Sequence, residues 1–175
     1  DLRAYVDHVE DQGQLGSCTA NAHTSQLEIL TDRVGKFVNL SRLFAYKVAR
    51  DHLGIVGDKG ATCREMVKVS AQIGTVPEIL WPYDPTQVDT VPPASLFTVA
   101  AQMKAAEYER VNQARDIIAA LAEGLPVLTA MTVPNDIFGV TGTLDQQGAR
   151  ILSGDIPFCM GGAKPVIGAH ATCSV

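Results

Sequence analysis

The sequence predicts an α+β fold, and three observations carry that expectation. A stretch free of Gly and Pro follows Cys18 and places Ala20, Ala22, Leu27 and Leu30 as a helix would. Thr62 to Gly74 reads as a second helix with its own start and stop signals, and Leu125 to Val133 is an apolar run of strand length. At 175 residues the chain can bury a substantial core as one domain or two small lobes. A net charge of −5 with no basic run or charge block argues against a nucleic-acid partner. No apolar run approaches the roughly 20 residues of a membrane span, and Asp1-Leu2-Arg3 does not read as a signal peptide, so no membrane partner is expected.

Taken in order, each element has a local reason. Gly13 and Gly16 permit a tight loop that runs into the first helix at Cys18. Thr62-Cys63-Arg64-Glu65 can form a capping box, Met66, Val69 and Ile73 fall on one helical face, and Gly74 is a C-cap. Asp84 to Ala94, rich in Pro, Thr and Asp, reads as a flexible link between lobes. Arg115 to Glu123 reads as a helix with Ile117, Ile118 and Leu121 inward, closed by Gly124, and Leu125 to Val133 as a buried strand.

The reactive side chains sort by context. Cys18, Cys63, Cys159 and Cys173 lack the close C-x-x-C pairs of a zinc site, and no metal or organic cofactor is implied; a metal held by His170 and Cys173 has little support. An isolated Cys is usually a small buried hydrophobe, the reading given to Cys63 and Cys173. Cys18 differs, because a helix that begins at the sulfur offers unpaired backbone N–H groups and a positive dipole end to a thiolate. His170 follows a glycine-rich approach and opens an apolar stretch, whereas His8, His23 and His52 read as surface or helix-face residues.

The segment Gln12-Gly13-Gln14-Leu15-Gly16-Ser17-Cys18-Thr19-Ala20-Asn21-Ala22 resembles the nucleophile segment of the papain-like cysteine peptidases, and Gly168-Ala169-His170-Ala171 resembles the start of their catalytic-His strand. His170 lies 152 residues after Cys18, close to the roughly 130–150 usual for that family. Asp58-Lys59-Gly60-Ala61-Thr62, Trp81-Pro82-Tyr83-Asp84 and the run from Ala122 to Val127 resemble its substrate-binding glycine loop, its Tyr-Pro-Tyr-like turn and its approach to the sheet domain. The resemblance implies a papain-like fold, with a mainly helical lobe over 1–93 and an antiparallel, barrel-like sheet lobe over 94–175, and an active site in the cleft between them. It also implies Cys18 as nucleophile, His170 as base and acid, Gln12 as a donor in the oxyanion hole, and Gly60 and Ala61 as backbone contacts for a peptide or protein substrate. A turn that requires positive φ is an equal reading of Gly60.

Three departures bear on these expectations. Leu15 stands where the family usually has a disulfide-forming Cys, so that bridge is absent, and Thr19 replaces the aromatic residue that commonly follows the nucleophile. The imidazole-orienting Asn or Asp of the family comes well after the His; Asn135 and Asp136 precede His170 and match no catalytic motif. The sheet lobe is therefore expected to be incomplete at its C-terminal end, with its last strands supplied by continuing polypeptide or by another chain in a larger assembly. The missing disulfide favours an intracellular setting or an assembled particle over secretion, and the Leu15-Gly16-Ser17-Cys18-Thr19-Ala20-Asn21-Ala22 signature resembles bacterial and tailed-phage members of the family. The competing function is a catalytically weak structural or docking module of a larger protein or virus particle; acyl transfer to an amine shares the same thiol chemistry.

Overall fold

The computed structural model describes residues 1–134 and 166–175. Asn135, Asp136, Cys159 and the glycine-rich approach over 161–165 lie outside the described residues. The first half is helical: α1 (Cys18–Asp32), α2 (Arg42–His52), α3 (Cys63–Gln72) and α4 (Ala94–Ala100), with short 3-10 turns between them. Next comes α5 (Ala114–Ala122), then β1 (Val127–Pro134) and β2 (Val166–Ser174). The two strands pair antiparallel, with Met131 opposite His170 and Leu128 opposite Cys173. This is the α+β class that the sequence leads one to expect, with a two-stranded antiparallel sheet among the described residues.

α2 forms the centre of the helical core. Ser41 caps its N-terminus by accepting the Phe44 N–H at 3.1 Å, and Leu43, Phe44, Tyr46 and Ala49 have no exposed surface. Phe44, Tyr46 and Val48 pack with Ala20 of α1, Met66 and Val69 of α3, Val76, and Leu96 and Ala100 of α4. Each fully buried side chain of this size contributes about 1.5–3 kcal/mol relative to exposure. The Phe44 and Phe97 rings meet in a tilted pair 5.5 Å apart.

α3 follows its sequence signals with one change. Thr62 accepts the Glu65 N–H at 3.1 Å, which is half of a capping box, but the Glu65 carboxylate turns away to His52 and Lys68. Gly74 ends the helix with φ +99°, and a Cβ there would sit 1.8 Å from the Ala100 carbonyl oxygen, so only glycine fits.

Three expectations are corrected. Ile118 is 68% exposed and not inward, because α5 meets β1 through its other face. β1 is buried at its start, at Val127, but Ala130, Met131 and Thr132 are exposed, so it is not a wholly buried strand. The 84–94 segment is not a free link. Asp84 caps a 3-10 turn by accepting the Thr86 N–H at 2.9 Å, and Asp89 pairs with Arg50 at 2.8 Å.

Candidate active site

The thiol at the start of α1 sits where helix and loop geometry favour an anion. Cys18 is the first residue of the helix, and Ser17, the N-cap, makes no side-chain cap. The Ser17 carbonyl takes the Ala20 N–H at 2.9 Å, which leaves the Cys18 and Thr19 N–H groups to act on whatever lies at the helix start. β2 packs against α1 and brings His170 to the sulfur. The hydrogen bond from His170 is the largest cause holding the Cys18 thiol below its ordinary pKa, helped by backbone N–H contacts at Ala171 and Thr19 and opposed by burial. The same bond raises the His170 pKa, against a smaller lowering by burial. The two shifts agree in sense: each favours a thiolate beside an imidazolium.

Gln12 lies in the loop that leads to this helix. Its side-chain amide donates to the Leu15 carbonyl oxygen at 2.8 Å, which fixes the amide while leaving it a second N–H. The Gln12 carbonyl accepts the Tyr83 hydroxyl at 2.9 Å, and that hydroxyl also meets the Ser17 Oγ at 2.6 Å. Ser17 Oγ in turn accepts the Asn21 side-chain N–H at 3.0 Å, and Asn21 Oδ1 accepts Arg42 at 3.2 Å. Arg42 pairs with Glu10 at 2.6 Å and lies over the Tyr83 ring, 4.3 Å from its centre.

The glycine loop is laced to the same segment. Asp58 accepts the Gly16 N–H at 2.9 Å and the Tyr46 hydroxyl at 2.5 Å, and the Tyr46 oxygen accepts the Gly60 N–H at 2.9 Å. Burial, then Asp58, pushes the Tyr46 pKa up, which keeps that hydroxyl protonated. Gly60 adopts φ +79°, the turn conformation read as one of its two roles. Its N–H is engaged by Tyr46, so of the two expected substrate contacts Ala61 retains the free backbone N–H among the described residues. Cys63, the first residue of α3, is half-buried, and burial raises its thiol pKa.

The structure therefore brings Cys18 and His170 into contact, sets Gln12 in the adjoining loop, and holds Gly60 and Ala61 beside Gly16 and the core. Sequence reasoning missed Ser17, Asn21, Arg42 and Tyr46 as supports of this site, and quoted Asp58 and Tyr83 without giving them a role. Asp58 and Tyr83 fell inside recognisable segments, but their contacts cross 42 and 66 residues and have no local signature. His23, read as a surface or helix-face residue, is turned into the core and 4% exposed.

Fold and site together define a papain-like architecture with a thiol and an imidazole in contact across the helix–sheet junction. Among solved structures, xylellain, a cysteine protease from Xylella fastidiosa, superposes with a TM-score of 0.77 at 29% identity, covering 94% of this chain and 64% of that one. Digestive procathepsin L 3 of Tenebrio molitor larval midgut shares the fold, with a TM-score of 0.63 at 19% identity over 79% of this chain and 45% of that chain. An uncharacterized peptidase C1-like protein of Acanthamoeba polyphaga mimivirus is 33% identical over 136 residues, 70% of this chain and 43% of the relative. No protein-family model matches the chain. These comparisons place the chain's similarity with the papain-like cysteine peptidases, and the chain spans about half the length of the curated relative it matches.

Proposed function

We propose that this protein is a cysteine peptidase that hydrolyses peptide bonds through an acyl-enzyme on Cys18. The observation that carries the reading is the Cys18–His170 hydrogen bond, with the thiol pKa lowered and the imidazole pKa raised. An extended peptide or protein substrate lies against Gly60 and Ala61, with the Ala61 N–H as the donor available there. The Cys18 sulfur gives its proton to His170 and attacks the carbonyl carbon, and the carbonyl π electrons move to oxygen. The Cys18 backbone N–H and the second Gln12 side-chain N–H stabilise that oxyanion. The intermediate collapses with cleavage of the C–N bond as His170 gives its proton to the departing amine, leaving a thioester. A water then gives a proton to His170 and its oxygen to the acyl carbon; the acid leaves and the thiolate returns.

Iodoacetamide labelling read by mass spectrometry across pH 4–9 tests the reactive pair. Cys18 is expected to react well below the free-thiol pKa of about 8.5, and to lose that advantage in His170→Ala. Labelling of Cys18 no faster than of the other thiols would sink the peptidase reading and leave a structural or docking module.

A further inference from the structure

The hydrogen bonds behind Cys18 have a direction that donor arithmetic determines. A tyrosine hydroxyl has one hydrogen, and a carbonyl oxygen can only accept. At 2.9 Å the Tyr83 hydroxyl therefore donates to the Gln12 carbonyl, and its 2.6 Å contact with Ser17 must be a bond in which Ser17 Oγ–H donates to Tyr83. Ser17 Oγ then accepts from Asn21, at 3.0 Å, and Asn21 Oδ1 accepts from Arg42, at 3.2 Å, which fixes the orientation of the Asn21 amide. The chain runs one way, Arg42 to Asn21 to Ser17 to Tyr83 to Gln12, and each link polarises the next. Ser17, Asn21 and Arg42 are all buried, so no water competes for these groups from outside.

The two ends that Tyr83 joins are the two sides of one feature. Ser17 is the residue before Cys18 and sets the position of its backbone N–H. Gln12 carries the other oxyanion donor on a glycine-containing loop; the Leu15 N–H donates to the Gln12 carbonyl at 3.3 Å and the Gln12 amide to the Leu15 carbonyl at 2.8 Å, while Asp58 anchors the loop further on at Gly16. The two bonds between Gln12 and Leu15 lie within the loop and do not tie it to the helix. Arg42 reaches the Asp11 carbonyl, Glu10 and Asn21 and so holds the loop from its outer side, but among the described residues it is the Tyr83 hydroxyl that bonds both to Gln12 itself and to Ser17. We infer that Tyr83 is a positioning residue for catalysis, whose hydroxyl sets the spacing between the Gln12 and Cys18 oxyanion donors by bridging the Gln12 carbonyl and the Ser17 side chain. This inference rests on the peptidase reading. Stabilisation of a developing charge depends on donors held at fixed separation, and small displacements of a positioned group cost up to about 100-fold in rate.

Tyr83→Phe removes the hydroxyl and keeps the ring on which Arg42 stacks. Against a peptide amide substrate the variant is expected to lose about 10- to 100-fold in kcat with KM little changed, less than the loss on deleting the Gln12 donor. Alkylation of Cys18 by iodoacetamide passes through no oxyanion, so its rate and pH profile should match the wild type. In a Gln12→Ala background the Tyr83→Phe change should cost nothing further, because the group it positions is gone. If Tyr83→Phe does not fold, Ser17→Ala cuts the same link and must show the same dependence on Gln12. An unchanged kcat, an equal loss in the Gln12→Ala background, or a matching fall in alkylation rate would each overturn the positioning role while leaving the peptidase reading in place. No turnover by the wild-type protein would overturn the peptidase reading, and this inference with it.

Discussion

Cys18, Cys63 and Cys173 hold the same functional group in three electrostatic settings, and their reactivity should separate accordingly. His170 lowers the Cys18 thiol, burial raises Cys63, and burial pushes Cys173 up to about 12. Thiol alkylation scales with the thiolate fraction, so labelling is expected in the order Cys18, Cys63, Cys173 as pH rises, with Cys173 silent at pH 9. His170→Ala should move the Cys18 profile upward and leave Cys173, raised by burial alone, where it is. Gln12→Ala tests a different atom. Loss of one oxyanion donor typically lowers kcat by about 100- to 1000-fold, and Cys18 alkylation should be untouched. Equal falls in both would place Gln12 in the folding of the loop and not in the chemistry.

At the scale of elements, α2 organises the glycine loop through a buried cation. Arg50 has no exposed surface; it donates to the Gly57 carbonyl at 2.6 Å and to Asp89 at 2.8 Å, also reaches the Val88 carbonyl, and lies over the Tyr46 ring. Tyr46 in turn holds Asp58 and Gly60. Arg50→Met keeps the helix and much of the volume but strips a donor from two carbonyl groups, so a loss of about 2–4 kcal/mol is expected in urea unfolding. The loop from Gly57 to Gly60 should loosen as well, which raises KM more than it lowers kcat. Steady-state kinetics with a peptide substrate would check this, and a fall in kcat alone would refute it. The helix that does this work left little trace in the sequence. Its three cations, Arg42, Lys47 and Arg50, suggest a solvated face, yet all three are buried and paired, so no amphipathic stripe marks α2. α1 and α3 were legible because their signals are local: a glycine-rich loop before Cys18, and Thr62 with Gly74 around an apolar stripe. The contact between Cys18 and His170 was legible only through spacing that resembles a family, since no local rule joins residues so far apart. The Asn21–Ser17–Tyr83 links had neither kind of signal.

For the molecule as a whole, acid should be the sensitive variable, and His23 is the reason. Its side chain lies in the core between α1 and α3, beside Thr24, Ala45, Met66, Val69 and Ser70. Burial lowers its pKa to about 4, with the Gln26 contact at 3.0 Å opposing only in part. Gln26 also donates to the Pro126 carbonyl at 2.7 Å, so this one side chain couples the core histidine to the start of β1. The unfolded chain binds the proton near pH 6.5, and the folded chain resists until about 4. Stability from the neutral imidazole is therefore complete above the unfolded value and declines as pH falls toward the folded one. Between pH 7 and pH 4 the decline from this group amounts to about 3 kcal/mol. Glu28 and Glu78, whose burial raises their pKa values, act in the opposite sense: the folded state holds their protons more tightly as pH falls. Asp84 and Asp89, whose hydrogen bonds hold their carboxyls low, act in the same sense as His23, so the acid slope of the wild type sums several groups, and a comparison of variants isolates the His23 contribution. His23→Gln leaves both carboxyls in place and removes the titrating imidazole. Urea unfolding at pH 7 and pH 4 should show the wild type losing about 3 kcal/mol more than the variant does over that interval. Parallel losses in the two proteins would mean that His23 is protonated as readily in the fold as out of it, and that the core around α1 admits a charge which its burial argues against.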